Sequence, residues 1–207
     1  MKHKRIVLTS YKTLFAVLAL SSIALEIVTL QQRGVFNPAN FFSFFTILSN
    51  IFAALALMVS AVFIHRGMRS RKLNILRGAA TLYMTLTGVV FAVLLSDLDP
   101  SLLTAVPWDN TVLHYIMPIV LFIDWVIDPP TSRLRYRHAA LWLLFPLVYV
   151  TYSLIRGPIV NWYPYPFLNP ANGGYGQVAV ICVGITVFTL LAALLIRGLS
   201  LRLVRTK

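Results

Sequence analysis

FFSFFTILSNIFAALALMVSAVFI, residues 41–64, contains no Asp, Glu, Lys or Arg. A helix rises about 1.5 Å per residue, so about 20 apolar residues cross the roughly 30 Å hydrocarbon core of a bilayer. This stretch is long enough to do so. Yet its first half carries Ser43, Thr46, Ser49 and Asn50 among the phenylalanines. The length decides the fold, and the polar residues pose the functional question.

Five further stretches read the same way, giving spans over 12–30, 41–64, 75–96, 111–128, 137–154 and 176–197. The breaks between them carry turn formers, prolines or charge, from QQRGVFNPAN to IRGPIVNWYPYPFLNPANGGYG. The 207-residue chain is 58% hydrophobic and 12% charged, with a mean hydropathy of +0.79. A soluble domain carries about twice that charged fraction. The expected fold is all-α: a single integral membrane bundle of six transmembrane helices spanning residues 1–207.

The net charge of +12 is sorted by side. Sixteen of the eighteen Lys and Arg residues fall at the termini and in the second and fourth connections, and only Arg33 and Arg156 fall in the others. This positive-inside pattern predicts that both termini face the cytoplasm, and the clusters also suit anionic headgroups. The basic connections are too short to fold into a nucleic-acid-binding domain, so nucleic acid is excluded as a partner. The basic MKHKR start leads into a run too long for a signal-peptide core, so no cleavable leader is expected. No internal repeat supports an inverted-repeat transporter. A single cysteine, Cys182, rules out a disulfide framework or Cys-cluster metal site. The histidines are dispersed without HExxH-type spacing, and only Glu26, Asp97, Asp99 or Asp109 would join His114 on its side. Neither metal nor other cofactor is expected.

Polar residues inside a membrane are functional candidates. Read as one helix, Ser43, Thr46 and Asn50 share a face, with Ser49 beside them. Thr46, Glu26 in span 1 and His114 in span 4 come to similar depth, all roughly 5–8 Å below the same surface. A threonine hydroxyl must lose its proton to attack an acyl carbon, and a histidine within hydrogen-bond reach takes it. Asn50, Ser49 or a tyrosine would hold the oxyanion, and Glu26 would orient the imidazole. The ordinary alternative is that these hydroxyls bond their own backbone or a neighbouring helix. Asp124 lies ten residues, or roughly 15 Å, beyond His114, and is expected to pair with an arginine instead. Trp162, Tyr163, Tyr165 and Phe167 form either an interface belt or a lid stiffened by Pro164 and Pro166.

Three segments together carry a family resemblance: FFTILSN in span 2, LHYIMPIVLFIDW opening span 4, and NWYPYPFLNP between spans 5 and 6. In order and spacing they resemble the androgen-induced membrane-protein family. That family includes intramembrane threonine hydrolases of fatty-acid esters of hydroxy fatty acids. The chain looks closest to its bacterial six-span relatives, the Pr-six-Pr family. The resemblance implies Thr46 as nucleophile and His114 as base, in a bacterial plasma membrane. It also implies that Ser49 and the Tyr165-Pro166-Phe167 element contact a lipid-ester substrate, beside Glu26, Ser43 and Asn50. Phe41, Phe42, Phe44 and Phe45 would line an acyl groove. The alternatives are a non-catalytic binder or transporter of a lipid or small amphiphile, and a structural membrane protein.

Overall fold

In the computed structural model, residues 2–98 and 104–203 are described. Asp99, one of the acidic residues weighed above, and the terminal Arg205 and Lys207 lie outside them. Six segments are long and apolar enough to cross a membrane. They are α1 (Lys2–Gln32), α3 (Phe45–His65), α4 (Arg71–Leu94), Pro107–Ile127, Tyr136–Val160 and α9 (Gly174–Leu203). The fourth is composite: α5 (Pro107–Thr111), a π-helical turn (Val112–Ile116) and α6 (Met117–Ile127). The fifth is broken at Leu143 into α7 (Tyr136–Trp142) and α8 (Leu144–Val160). No strand occurs among the described residues.

One boundary differs from expectation in a way that matters. Residues 41–64 are not one helix. A one-turn helix, α2 (Pro38–Phe41), is capped by the Asn37 side chain, and the chain then bends through Phe42, Ser43 and Phe44 before α3 begins. Thr46 is therefore the second residue of α3. Ser43 lies outside that helix, with its hydroxyl donating to Ala39 O at 2.6 Å. The local signal for the break was NPAN, a proline following a capping residue.

Two cores flank α3 and α4. On one side, Ala16 and Ala19 of α1 meet Ala53, Ala54 and Ala56 of α3, all essentially inaccessible. Small residues let two backbones approach where lipid offers no hydrophobic driving force between helices. On the other side, α4, α7, α8 and α9 enclose larger side chains, including Trp125 and Trp142. Gly78 makes room there, because a Cβ at that position would stand 2.2 Å from the Trp142 ring. Outward faces of α8 and α9 expose Ile159, Val180 and Val183, as surfaces against acyl chains do.

A second correction concerns charge. Lys12 and Arg77, counted above with the headgroup-facing residues, are 0% and 2% exposed. Arg77 donates to Asp124 Oδ2 at 2.7 Å and lies 3.3 Å from Asp128 Oδ2. Lys12 pairs with Asp124 and lies 3.2 Å from Asp128. Arg69 reaches Asp128 from outside at 2.7 Å. Asp124 thus has the arginine partner expected of it, and a lysine as well.

Candidate active site

Thr46 sits where a helix begins, and that position shapes its surroundings. The first N–H groups of a helix lack intrahelical acceptors. Phe44, the N-cap, offers no side-chain acceptor. Instead, Thr46 N–H donates to the Tyr165 hydroxyl at 3.1 Å. The same phenol lies 3.2 Å from Thr46 Oγ1. Tyr165 comes from the connection between α8 and α9, so a loop side chain caps a transmembrane helix at its polar residue.

His114 reaches Thr46 from the π-helical turn. Its Nε2 lies 3.1 Å from Thr46 Oγ1 and its Nδ1 lies 3.2 Å from Asn110 O. A carbonyl can only accept, so Nδ1 carries the ring proton. In the neutral ring Nε2 is then bare and accepts from the Thr46 hydroxyl. That leaves the Tyr165 hydroxyl to donate to Thr46 Oγ1. One forced assignment orders the chain from Tyr165 O–H to Thr46 O–H to His114 Nε2. Burial holds the Tyr165 phenol above its ordinary pKa, so it remains a protonated donor.

The π turn has a local cause. Met117 N–H bonds Val112 O, five residues back, and Pro118 follows with no N–H to give His114 O. Pro118 packs against Gly88 of α4 so closely that a Cβ there would stand 2.9 Å from the ring. The Phe91 ring stacks on the imidazole at a centroid distance of 4.2 Å. The histidine is thereby held by its own helix, by α4 and by its acceptor carbonyl.

Beside Thr46 lies a cavity of about 390 Å³. Thr46, Tyr149 and Tyr165 form its polar end, with Phe45 and Phe167 beside them. The rest is mostly aliphatic, with Thr87, Cys182, Thr186 and Thr189 interspersed, and Leu144, Leu147 and Leu190 on its wall are exposed on α8 and α9. The cavity therefore opens sideways, towards acyl chains rather than water. His114 does not line it. Thr46 thus contacts both the imidazole and the cavity.

The other expected site residues divide. Tyr165 and Phe167 line the cavity with rings stacked 5.2 Å apart, while Pro166 starts a short 3₁₀ turn outside the lining. Ser49 donates to Thr46 O at 3.1 Å and meets Thr87 Oγ1 at 2.8 Å. Asn50 Nδ2 donates to Thr46 O at 2.9 Å and to Leu113 O at 3.2 Å. Both amide hydrogens of Asn50 are thus engaged, and neither residue lines the cavity. They fix the first turn of α3 beneath Thr46.

Ser43 contacts the Tyr152 hydroxyl at 3.0 Å and sits apart from the cavity. Glu26 does not touch the imidazole. Its carboxylate accepts from Ala105 N at 2.6 Å and Val106 N at 3.2 Å, tying α1 to the start of the fourth span. The orienting acceptor expected from Glu26 is the Asn110 carbonyl. Of the four phenylalanines assigned to an acyl groove, Phe45 alone lines the cavity. Phe41 lies in the α1–α3 core, Phe42 is exposed, and Phe44 packs on Trp162 and Tyr165.

Sequence reasoning passed over Phe91, Tyr149 and Asn110. Tyr149 donates to Ser43 O at 3.0 Å, and only its place within an apolar span marked it. Pro118, four residues after His114, was the signal for the irregular turn. Among the described residues, no group of three or more His, Cys, Asp or Glu side chains could hold a metal ion. The chain matches no family model, no curated protein and no solved structure.

Proposed function

We propose that the chain is an intramembrane threonine hydrolase of lipid esters, with Thr46 as nucleophile and His114 as general base. The observation that carries this reading is the 3.1 Å contact between Thr46 Oγ1 and the bare Nε2 of His114, beside an apolar cavity.

The ester enters from the bilayer between α8 and α9, with its acyl chain in the cavity. Thr46 Oγ1 attacks the carbonyl carbon while its proton passes to His114 Nε2. Tyr165 turns its hydroxyl from Oγ1 to the carbonyl oxygen and stabilises the oxyanion. The α3 N-terminus adds a positive dipole. The imidazolium returns the proton to the departing alkoxide, leaving acyl-Thr46. Water, deprotonated by His114, then attacks that ester, the imidazolium returns its proton to the leaving Thr46 Oγ1, and a fatty acid is released. Asn110 O holds the tautomer throughout, the part a carboxylate takes in a serine triad.

The positive-inside pattern supports cytoplasmic termini, which places Thr46 near the outer leaflet. The resemblance to bacterial six-span relatives supports a bacterial plasma membrane. The substrate class is a fatty-acid ester or a similar amphiphile. A fluorophosphonate probe tests the chemistry, since it reacts with activated hydroxyl nucleophiles. Thr46 is expected to be labelled in detergent-solubilised protein. Absence of labelling, or labelling that survives Thr46→Ala, would reject the enzyme reading and leave a lipid-binding cavity.

A further inference from the structure

The end of the bundle opposite Thr46 carries a second site, built from cations. Arg71 opens α4, Arg133, Arg135 and Arg137 surround the start of α7, and Arg197 lies near the end of α9. All five line one surface pocket. Among the described residues none is in a salt bridge. Asp124 and Asp128 are taken by Lys12, Arg69 and Arg77, and Glu26 and Asp109 are at the far end. The Arg197 guanidinium lies 3.5 Å above the Tyr136 ring, and its Nε is buried without an acceptor. The Ser132 hydroxyl, also on the pocket, is buried without a partner. Five arginines thus line one pocket without a carboxylate partner, and donors are left over. An anion rich in oxygens answers both.

The surroundings of the pocket narrow the anion to a lipid. Ala140 and Leu144, three and seven residues beyond Arg137, line the apolar cavity, as does Leu190, seven residues before Arg197. Seven helical residues are about 10 Å, within reach of an acyl chain. A molecule with its phosphate on the arginines lays its tail along the gap between α8 and α9. We propose that this pocket binds the phosphate of an anionic phospholipid headgroup. Guanidinium pairs take phosphate oxygens bidentately, and Ser132 donates one more hydrogen bond. The headgroup contacts do not involve Thr46.

The test uses the full chain in neutral detergent, with bound lipid read by native mass spectrometry and stability by thermal melting. Phosphatidylglycerol is expected to bind and to raise Tm, while phosphatidylcholine with the same tails does neither. Each arginine near a membrane surface contributes about fivefold in affinity, so Arg135→Gln/Arg137→Gln should weaken binding about twenty-five-fold. Lys4→Gln/Arg66→Gln removes the same charge from the same end outside the pocket, and should change affinity less than twofold. Arg135→Lys/Arg137→Lys should restore part of the binding, which separates charge from fold. Equal binding of the two lipids would overturn the proposal, as would equal losses from the pocket and control pairs. Millimolar inorganic phosphate matching the Tm gain of phosphatidylglycerol would also overturn it, by showing a free-phosphate site. Thr46→Ala should bind phosphatidylglycerol unchanged.

Discussion

Two of the buried polar clusters in the bundle lie at opposite ends, and they are built on opposite plans. At one end Lys12, Arg77, Asp124 and Asp128 are charged, balanced and sealed, linking α1, α4 and the fourth span. At the other, Thr46, His114 and Tyr165 are linked by neutral hydrogen bonds and abut a cavity. A charge in hydrocarbon is tolerated only when its partner is fixed, so the first cluster has no freedom to react. The second can exchange a proton along its own hydrogen bonds and admit a ligand on one side. Polarity inside a membrane protein is thus no sign of chemistry by itself. An unfilled space next to a proton acceptor is.

This contrast predicts separate consequences at the two ends. The largest effect is on reactivity at the Thr46 end. Thr46→Ala should abolish fluorophosphonate labelling, and His114→Ala should slow it about 10²- to 10⁴-fold, the usual contribution of a general base. Both should melt within a few degrees of the parent. If His114→Ala labels at the parental rate, His114 is not the base and the Thr46 end is no more reactive than the charged one.

At the charged end the effect moves to stability. Asp124→Ala leaves Arg77 and Lys12 facing only Asp128 and should cost about 3–5 kcal/mol, read in a reversible denaturation assay of the micellar protein. Labelling of whatever remains folded should proceed normally. Replacing Lys12, Arg77, Asp124 and Asp128 together by apolar residues of similar volume should be far milder, because no buried charge is then left unpaired and Arg69 is open to solvent. A quadruple variant no better than Asp124→Ala would mean that the network does more than balance charge.

How much of this the sequence could reveal depends on range. The six spans rest on composition summed over about 20 residues, a signal that tertiary context does not override. Thr46 and His114 could be named because depth in a membrane is read from position along a helix. The orienting role given to Glu26 could not survive the same reasoning. Depth says nothing about rotation, and its carboxylate faces the backbone at Ala105 and Val106. Lys12 and Arg77 were misplaced because a charge count treats every span-end cation as solvated, whereas theirs turn inward to Asp124. Tyr165 as the cap of α3 depends on two segments 119 residues apart in sequence. The break at Phe42–Phe44, which makes that cap necessary, lies hidden within a run apolar enough to read as continuous helix.

Tyr165→Phe sharpens the comparison because it removes one oxygen and leaves the packing. The ring keeps its stack on Phe167 and its edge contact with Phe44. What disappears is the acceptor for Thr46 N–H and the donor to Oγ1. Loss of one oxyanion donor costs about 10²-fold or more in turnover. Ester hydrolysis by Tyr165→Phe should therefore fall about a hundredfold at nearly unchanged KM. A rise in KM alone would assign Tyr165 to binding.

Ser49 gives the smallest effect and the finest test. Its hydroxyl bonds Thr46 O and Thr87 Oγ1, so it resembles the charged end in being sealed and the Thr46–His114 cluster in being neutral. Interhelical hydrogen bonds in membrane proteins average about 0.6 kcal/mol. Ser49→Ala should cost about that much stability, since Thr87 still bonds Tyr83 O at 3.0 Å and is not orphaned. Labelling should change less than threefold, because Asn50 continues to hold the Thr46 carbonyl. A tenfold loss would place Ser49 with Thr46 and His114, and the dividing line would then be contact with the Thr46 backbone rather than access to the cavity.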